Sequence, residues 1–236
     1  VRVTVIRNDP DVPPGHLARV CRERGHDVDI VALDAGEALP PIGTVTAIAV
    51  LGGEMGAYDT DIHPYLEIEK AFLAEAVERD IPVLGLCLGC QLLADALGGT
   101  AYLAPVPEAA FGVLDVVAED AVVGILGSQR SLALHRDTWD LPPGATLIAR
   151  SSAYDQAFRM GSALGIQTHP EATPAIVAAW LAHRSGRELV ASAGASPQGL
   201  LETITAASRE IALTADAVFG AWLDESERAV ASRAAP

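Results

Sequence analysis

The 236 residues include 16 Lys and Arg against 31 Asp and Glu, a formal net charge of -15, and 50% of them are hydrophobic, enough for one sizeable core plus an extension. A surface this acidic repels phosphate, which excludes nucleic acid and anionic membranes as partners, and no segment approaches the ~20 apolar residues of a membrane helix. Cys21, Cys87 and Cys90 fit neither a disulfide framework nor a zinc pattern, and VRVTVIR at the start has no signal-peptide core, so a cytoplasmic protein is expected.

Short β-branched runs alternate with helical patterns from the start, the mark of an α/β fold with a mostly parallel central sheet flanked by helices. VRVTVIR reads as a strand, PPGHLARVCRERG as a helix closed by Gly25, and VDIVAL and TAIAVLGG as two further strands. His63 to Arg79 carries Leu66, Phe72, Leu73, Ala76 and Val77 on one helical side. IPVLGLC is an apolar run of strand length. The following LGCQLLADALGG clusters Leu92, Leu93, Ala96 and Leu97 at helical spacing before Gly98 and Gly99 stop it. From Thr100 to Gln167, short strands and turn signals such as Pro142-Pro143-Gly144 predict an antiparallel region, and ALGIQTHPEAT a final strand ending in polar residues. From Pro174 onward the pattern is helical: AIVAAWLAHRSG, a spacer around Ala193 to Pro197, and a long stretch from Gln198 to about Ser226. The expected organisation is an α/β domain over residues 1–185 and a C-terminal helical extension over 186–236.

Strand and helix meet at Cys87. A cysteine after an apolar strand is, taken alone, more often a small buried hydrophobe than a nucleophile. Gly85 and Gly89 flank it as G-L-C-L-G, however. A sharp strand-to-helix turn that pushes a side chain out at the carboxyl edge of a sheet needs small residues two positions either side. The helix N-terminus would stabilise a thiolate, and Leu88 N–H is placed to donate to an oxyanion. A thiolate in acyl transfer needs a base, and the base an orienting group. QTHPEAT offers both, His169 at a strand end and Glu171 two residues on, with Pro170 stiffening the link. Alone, H-P-E reads as a loop with a helix-capping acid; paired with the glycine-flanked cysteine, it reads as catalytic. LGGEMGAYD ends another apolar strand and could bring the bare N–H of Gly53 to the second oxyanion position. Cys90 completes a C-x-x-C with Cys87, but reads as a core residue because the elbow glycines and the distant H-P-E fit acyl transfer better than redox chemistry.

Together, LGGEMGAYD, PVLGLCLGCQLLADALGG, HRDTWDLPPGA, QAFR and LGIQTHPEAT make the chain resemble the class I (triad-type) glutamine amidotransferases. Within them it is most similar to the stand-alone subgroup related to the glutaminase domain of GMP synthase, over roughly its first 180 residues. The resemblance implies a flavodoxin-like fold in which Cys87 forms a glutamyl thioester, His169 shuttles the proton and Glu171 orients His169. It gives Gln91, in C-x-x-x-Q spacing, contact with the polar end of glutamine. Met55 and Gly56 would offer backbone to the substrate, and His135 and Asp137 lie in a segment that closes over its amino and carboxylate groups. No metal or organic cofactor is implied. The substrate would be glutamine or a γ-glutamyl compound, and because no ATP-binding synthetase segment is recognisable, a separate synthase subunit would receive the ammonia.

Glu54 and Arg136 stand where the family commonly has Pro and Gly, Phe111-Gly112 replaces Trp-Gly, and Thr168 replaces an aromatic residue. The two added charges point away from plain glutamine, and Arg136 with the long helical tail, shaping a wider pocket, would suit a free-standing γ-glutamyl hydrolase or peptidase. A non-catalytic scaffold, the third reading, conflicts with an intact Cys, His and Glu. The oligomeric state is left open.

Overall fold

The alternation read from the sequence folds into an eight-stranded sheet with helices on both faces and a separate two-stranded ribbon, in a computed structural model that describes residues 1–234. In chain order the elements are β1 (Arg2–Arg7), α1 (Gly15–Glu23), β2 (Asp27–Ala32), β3 (Ala47–Val50), α2 (Tyr65–Glu78), β4 (Val83–Leu86) and α3 (Leu88–Ala96). There follow β5 (Thr100–Gly112), β6 (Asp115–Val116), β7 (Ser131–Asp140), β8 (Thr146–Arg150), β9 (Asp155–Met160) and β10 (Ala163–Ile166). The chain continues through α4 (Pro174–Ala182), α5 (Arg184–Ser192), α6 (Pro197–Ala206) and α7 (Ser208–Ala234).

Strand order is β2-β1-β3-β4-β10-β9-β8-β6. Neighbours from β2 to β10 pair in parallel, whereas β9, β8 and β6 extend one side antiparallel. Helices cover both faces of the parallel half, so its inner strands β3 and β4 are buried along their whole length without a polar side chain, and the strands sort by a period of two. Val3, Val5, Ala47, Ala49, Leu84 and Leu86 join one core, and Ile6, Ile48, Val50 and Val83 the other. α2 and α3 cover the second face; α1 and α7 cover the first. α7 does so through Ala215, Val218, Phe219, Trp222 and Leu223, one stripe at helical spacing. Ion pairs from Arg19 to Asp216 (2.7 Å) and from Arg24 to Asp224 tie its outer side to α1.

The long helical stretch read after Gln198 is divided at Ala207 into α6 and α7, with neither glycine nor proline at the break. Tertiary packing explains it: Leu200 and Ile204 of α6 join Val177 of α4, Val190 of α5 and Leu134 of β7 in a third cluster under the β5–β7 ribbon. β5 loses register with β7 between Leu103 and Glu108, where Pro105 and Pro107 have no N–H for the ladder, and pairing resumes with Glu108 opposite His135. β10 stops at Ile166, so His169 sits in a loop beyond the strand rather than at its last residue.

β1 lies between β2 and β3, and connections that leave on opposite sides of a strand open a crevice beyond the carboxyl ends of a parallel sheet. The loops after β1 and β3, Cys87 after β4 and His169 after β10 all emerge at that edge.

Candidate active site

Cys87 is the one residue between β4 and α3, with φ 51° and ψ -108°. A side-chain-bearing residue held there costs on the order of 1–3 kcal/mol, which the surroundings must offset. Its N–H donates to Ile166 O at 3.0 Å and its carbonyl accepts from Gln91 N–H at 3.1 Å. The flanking glycines make the turn possible. A Cβ on Gly85 would lie 2.4 Å from Gly89 O, and one on Gly89 would lie 2.4 Å from Val50 O, so α3 can approach the sheet only because both are bare. Leu88 opens α3 and its N–H has no intrahelical acceptor. Among the described residues the backbone network leaves the Gly53 N–H unengaged as well.

His169 is clamped by β7 and lies beside the cysteine. Its N–H donates to Leu132 O at 2.7 Å. A Cβ on Gly52 would be 3.4 Å from His169 Cε1 and 3.6 Å from Cys87 Cβ, which places the two side chains around one point. Nδ1 pairs with Glu171 Oε1 at 2.7 Å, and Nε2 approaches Leu134 O at 3.3 Å. Burial works against a charged imidazole here, yet Cys87 and Glu171 outweigh it and hold the His169 pKa well above the ordinary histidine value. Glu171 is fully buried and fixed from behind: its carbonyl accepts from His16 N–H at 2.9 Å, and a Cβ on Gly15 would come within 2.2 Å of that oxygen. The Trp180 ring packs 5.0 Å from the imidazole, and its indole N–H donates to Asp11 O at 2.8 Å.

These groups open into a cavity of about 360 Å³, bounded by the loops after β1 and β3, by β7 and by α5. That volume lies in the ~300–1,000 Å³ range of small-molecule sites.

Residues 15–180 match the family model described as glutamine amidotransferase class-I. The chain belongs to this family. Among curated relatives, the GMP synthase [glutamine-hydrolyzing] of Aeropyrum pernix is 36% identical over 165 residues, covering 66% of this chain and 30% of that protein. A glutamine amidotransferase-like protein of Salmonella typhimurium, YfeJ, is 28% identical over 206 residues, covering 82% of this chain and 85% of that one. Among solved structures, a glutamine amidotransferase from Thermotoga maritima superposes with a TM-score of 0.83 at 29% identity, covering 98% of each chain. The chain spans about 30% of the length of the GMP synthases it matches.

The amidotransferase resemblance singled out further positions, and the structure treats them differently. Gln91 is 3% exposed and lines the cavity; its amide nitrogen donates to Asp137 O at 3.1 Å and to Gln167 Oε1 at 3.3 Å, which leaves the oxygen as the end that can meet a ligand. Met55 lines the cavity too. Gly56 does not: its N–H donates to Asp59 Oδ2 at 2.7 Å and its carbonyl accepts from Asp59 N–H at 3.0 Å, so the backbone expected to meet substrate is closed into a turn. His135 borders the cavity, but its ring is occupied: Nδ1 donates to Asp137 O at 2.9 Å and Nε2 pairs with Glu108 Oε2 at 3.0 Å. Burial would raise the Glu108 carboxyl, but hydrogen bonds from His135, Ser151 and Gln156 hold it below the usual carboxylate range. Asp137 faces the cavity with Tyr58 OH at 3.3 Å from Oδ1, and burial pushes its carboxyl up against the pull of Arg136. Cys90 is 0% exposed in the core, where burial drives its thiol well above the ordinary range.

Sequence reasoning singled out neither Asp9 nor Trp180, nor the individual residues of the α5 wall. Asp9 was findable, since it follows β1 at the carboxyl edge. It organises the loop entrance by accepting from Asp11 N–H at 2.9 Å and Glu54 N–H at 3.1 Å.

Proposed function

We propose that this amidotransferase-family chain is a Cys-His-Glu amidohydrolase that releases ammonia from glutamine. The observation that carries the reading is a cysteine at positive φ on a strand-to-helix turn, beside a histidine paired at 2.7 Å with a buried glutamate. Cys87 Sγ attacks the γ-carboxamide carbon while the developing oxyanion is met by the Gly53 and Leu88 N–H groups. His169 protonates the leaving nitrogen, the C–N bond breaks and ammonia departs. Water, deprotonated through His169, then cleaves the thioester to glutamate and frees the thiol. Glu171 keeps the imidazole in one orientation and balances its charge. In this reading the ammonia would pass to a synthase that uses it.

The test is treatment of the purified chain with the glutamine-mimicking electrophile diazo-oxo-norleucine, followed by mass spectrometry. One adduct on Cys87, absent from Cys87→Ala, is expected. An adduct on Cys90, or none, sinks the assignment.

The cavity volume favours a second reading, a free-standing hydrolase of larger γ-glutamyl amides that needs no partner. It is separated from the first by assaying the protein alone: faster cleavage of substituted γ-glutamyl amides than of glutamine selects it.

A further inference from the structure

Behind the lining residues of the cavity lies a buried polar network that the acyl-transfer scheme does not use. Its centre is Glu108, on β5 opposite His135 of β7, where the ladder resumes after the interruption at Pro105 and Pro107. Glu108 Oε2 pairs with His135 Nε2 at 3.0 Å and accepts from Gln156 Nε2 of β9 at 2.7 Å. Glu108, His135 and Gln156 are all buried. Tyr154 packs edge-on against the imidazole, ring centroids 5.8 Å apart. Its hydroxyl stands in for the missing ladder by donating to Val106 O and accepting from Val106 N–H at 3.2 Å. Carboxylate and imidazole hold one another in a single arrangement, since withdrawing either leaves the other with an unmet hydrogen bond away from water.

The other ring nitrogen carries that order to the cavity. His135 Nδ1 donates to Asp137 O at 2.9 Å, and the same carbonyl accepts from Gln91 Nε2 at 3.1 Å. A carbonyl oxygen has two lone pairs, so this one is saturated and the Asp137 peptide is fixed. With its nitrogen committed there and to Gln167 Oε1 at 3.3 Å, Gln91 turns its oxygen toward the cavity, which Asp137 lines as well. The two polar groups that meet a ligand at this end therefore share one backbone anchor. That anchor rests on Glu108, which does not itself line the cavity.

Resting on the amidohydrolase reading above, we infer that Glu108 is a positioning residue for substrate binding: through His135 and the Asp137 carbonyl it sets the direction of the Gln91 oxygen and the place of Asp137. It touches neither the substrate nor the reacting atoms. The Cys87 turn and the His169–Glu171 pair are held by other contacts, to Ile166 O, Leu132 O and His16 N–H. Loss of Glu108 is therefore read in the binding of a glutamine-shaped ligand and not in the chemical step, whereas a merely structural glutamate would lower stability and leave binding alone.

The experiment is saturation kinetics of Cys87 labelling in the full chain by diazo-oxo-norleucine, which separates a half-saturating concentration from a limiting rate. Glu108→Ala is expected to raise the half-saturating concentration by about tenfold or more, with the limiting rate within about twofold of the parent. Glu108→Gln, whose amide can still bond both His135 Nε2 and Gln156, should restore binding to within about threefold. Because Glu108 acts through Gln91, the loss in the Glu108→Ala and Gln91→Ala double variant should fall at least about threefold short of the product of the single losses. If Glu108→Ala does not fold, Glu108→Asp supplies the same comparison, since it keeps the charge and draws the acceptor back by one methylene. An unchanged half-saturating concentration, even with a lowered thermal midpoint, marks a structural role only and overturns the inference. So do a failure of Glu108→Gln to restore binding and losses that simply multiply. Absence of Cys87 labelling in the parent overturns the amidohydrolase reading, and this inference with it.

Discussion

His169 is positioned by three different segments: β7 carbonyls accept from its backbone and approach its ring, Glu171 takes Nδ1, and Trp180 packs on its face. Glu171→Gln keeps the shape but removes the charge that favours the imidazolium. Steady-state hydrolysis should show kcat reduced by about 10³-fold or more, the loss seen when a triad's orienting acid is neutralised. A second buried acid makes a different prediction. Glu69 is fully buried, bonded among the described residues only by Asn8 Nδ2 at 3.2 Å, and burial pushes its pKa from 4.5 up to about 8. Below pH 4.5 its carboxyl is protonated in both folded and unfolded chains; between there and pH 8 the unfolded chain ionises while the folded one keeps its proton. Stability is therefore lost across that window, by up to about 1.4 kcal/mol per pH unit, and levels off above it. Urea unfolding of Glu69→Gln should show a flatter pH profile from pH 5 to 8 than the parent; an identical profile refutes the assignment.

The turn around Cys87 is a property of two elements, β4 and α3, and of the distance between them. Gly89→Ala puts a methyl group 2.4 Å from Val50 O, backbone that cannot yield cheaply, so α3 must lift from the sheet and carry Cys87 with it. A displacement of about 1 Å at a reacting atom can cost on the order of a hundredfold. The rate of Cys87 labelling in Gly89→Ala should fall by about that factor, with the thermal midpoint lowered as well. This turn was legible in the sequence because its signal is local: an apolar strand, two spaced glycines and a helical pattern are contiguous. His169 and Glu171 were legible for the same reason, two residues apart around Pro170. Gly56, expected to offer backbone to the substrate, has its N–H engaged by a single carboxylate, that of Asp59, and sequence spacing does not reveal which acceptor takes it. The lining residues of α5 were not legible, since Ser185, Glu188 and Ser192 look like any solvated helix face until the ribbon beneath sets the helix over the cavity.

At the scale of the molecule, the parallel half of the sheet was readable from period-two apolar runs, whereas the neighbours of each strand were not, because periodicity says which face is buried but not against what. α7 shows the limit. Its sequence marks a helical extension, and only the packing reveals that Phe219 and Trp222 close the core over β1 and β3. Trp222→Ala should cost about 3–5 kcal/mol in chemical denaturation although it lies far along the chain from the cysteine. A cost under about 1 kcal/mol would mean that α7 is dispensable to the core.

The place of β10 has a consequence for how the protein is made. It pairs with β4 on one side and β9 on the other, joining residues about eighty positions apart. Until Ala163–Ile166 arrive, β4 has an open edge, and the backbone bond that holds Cys87, from its N–H to Ile166 O, has no acceptor. During synthesis the thiol is therefore made long before the strand and loop that bring His169 beside it. A ribosome-bound chain halted before residue 163 should carry an ordinary, unreactive cysteine, and reactivity toward the electrophile should appear only once the sheet has closed.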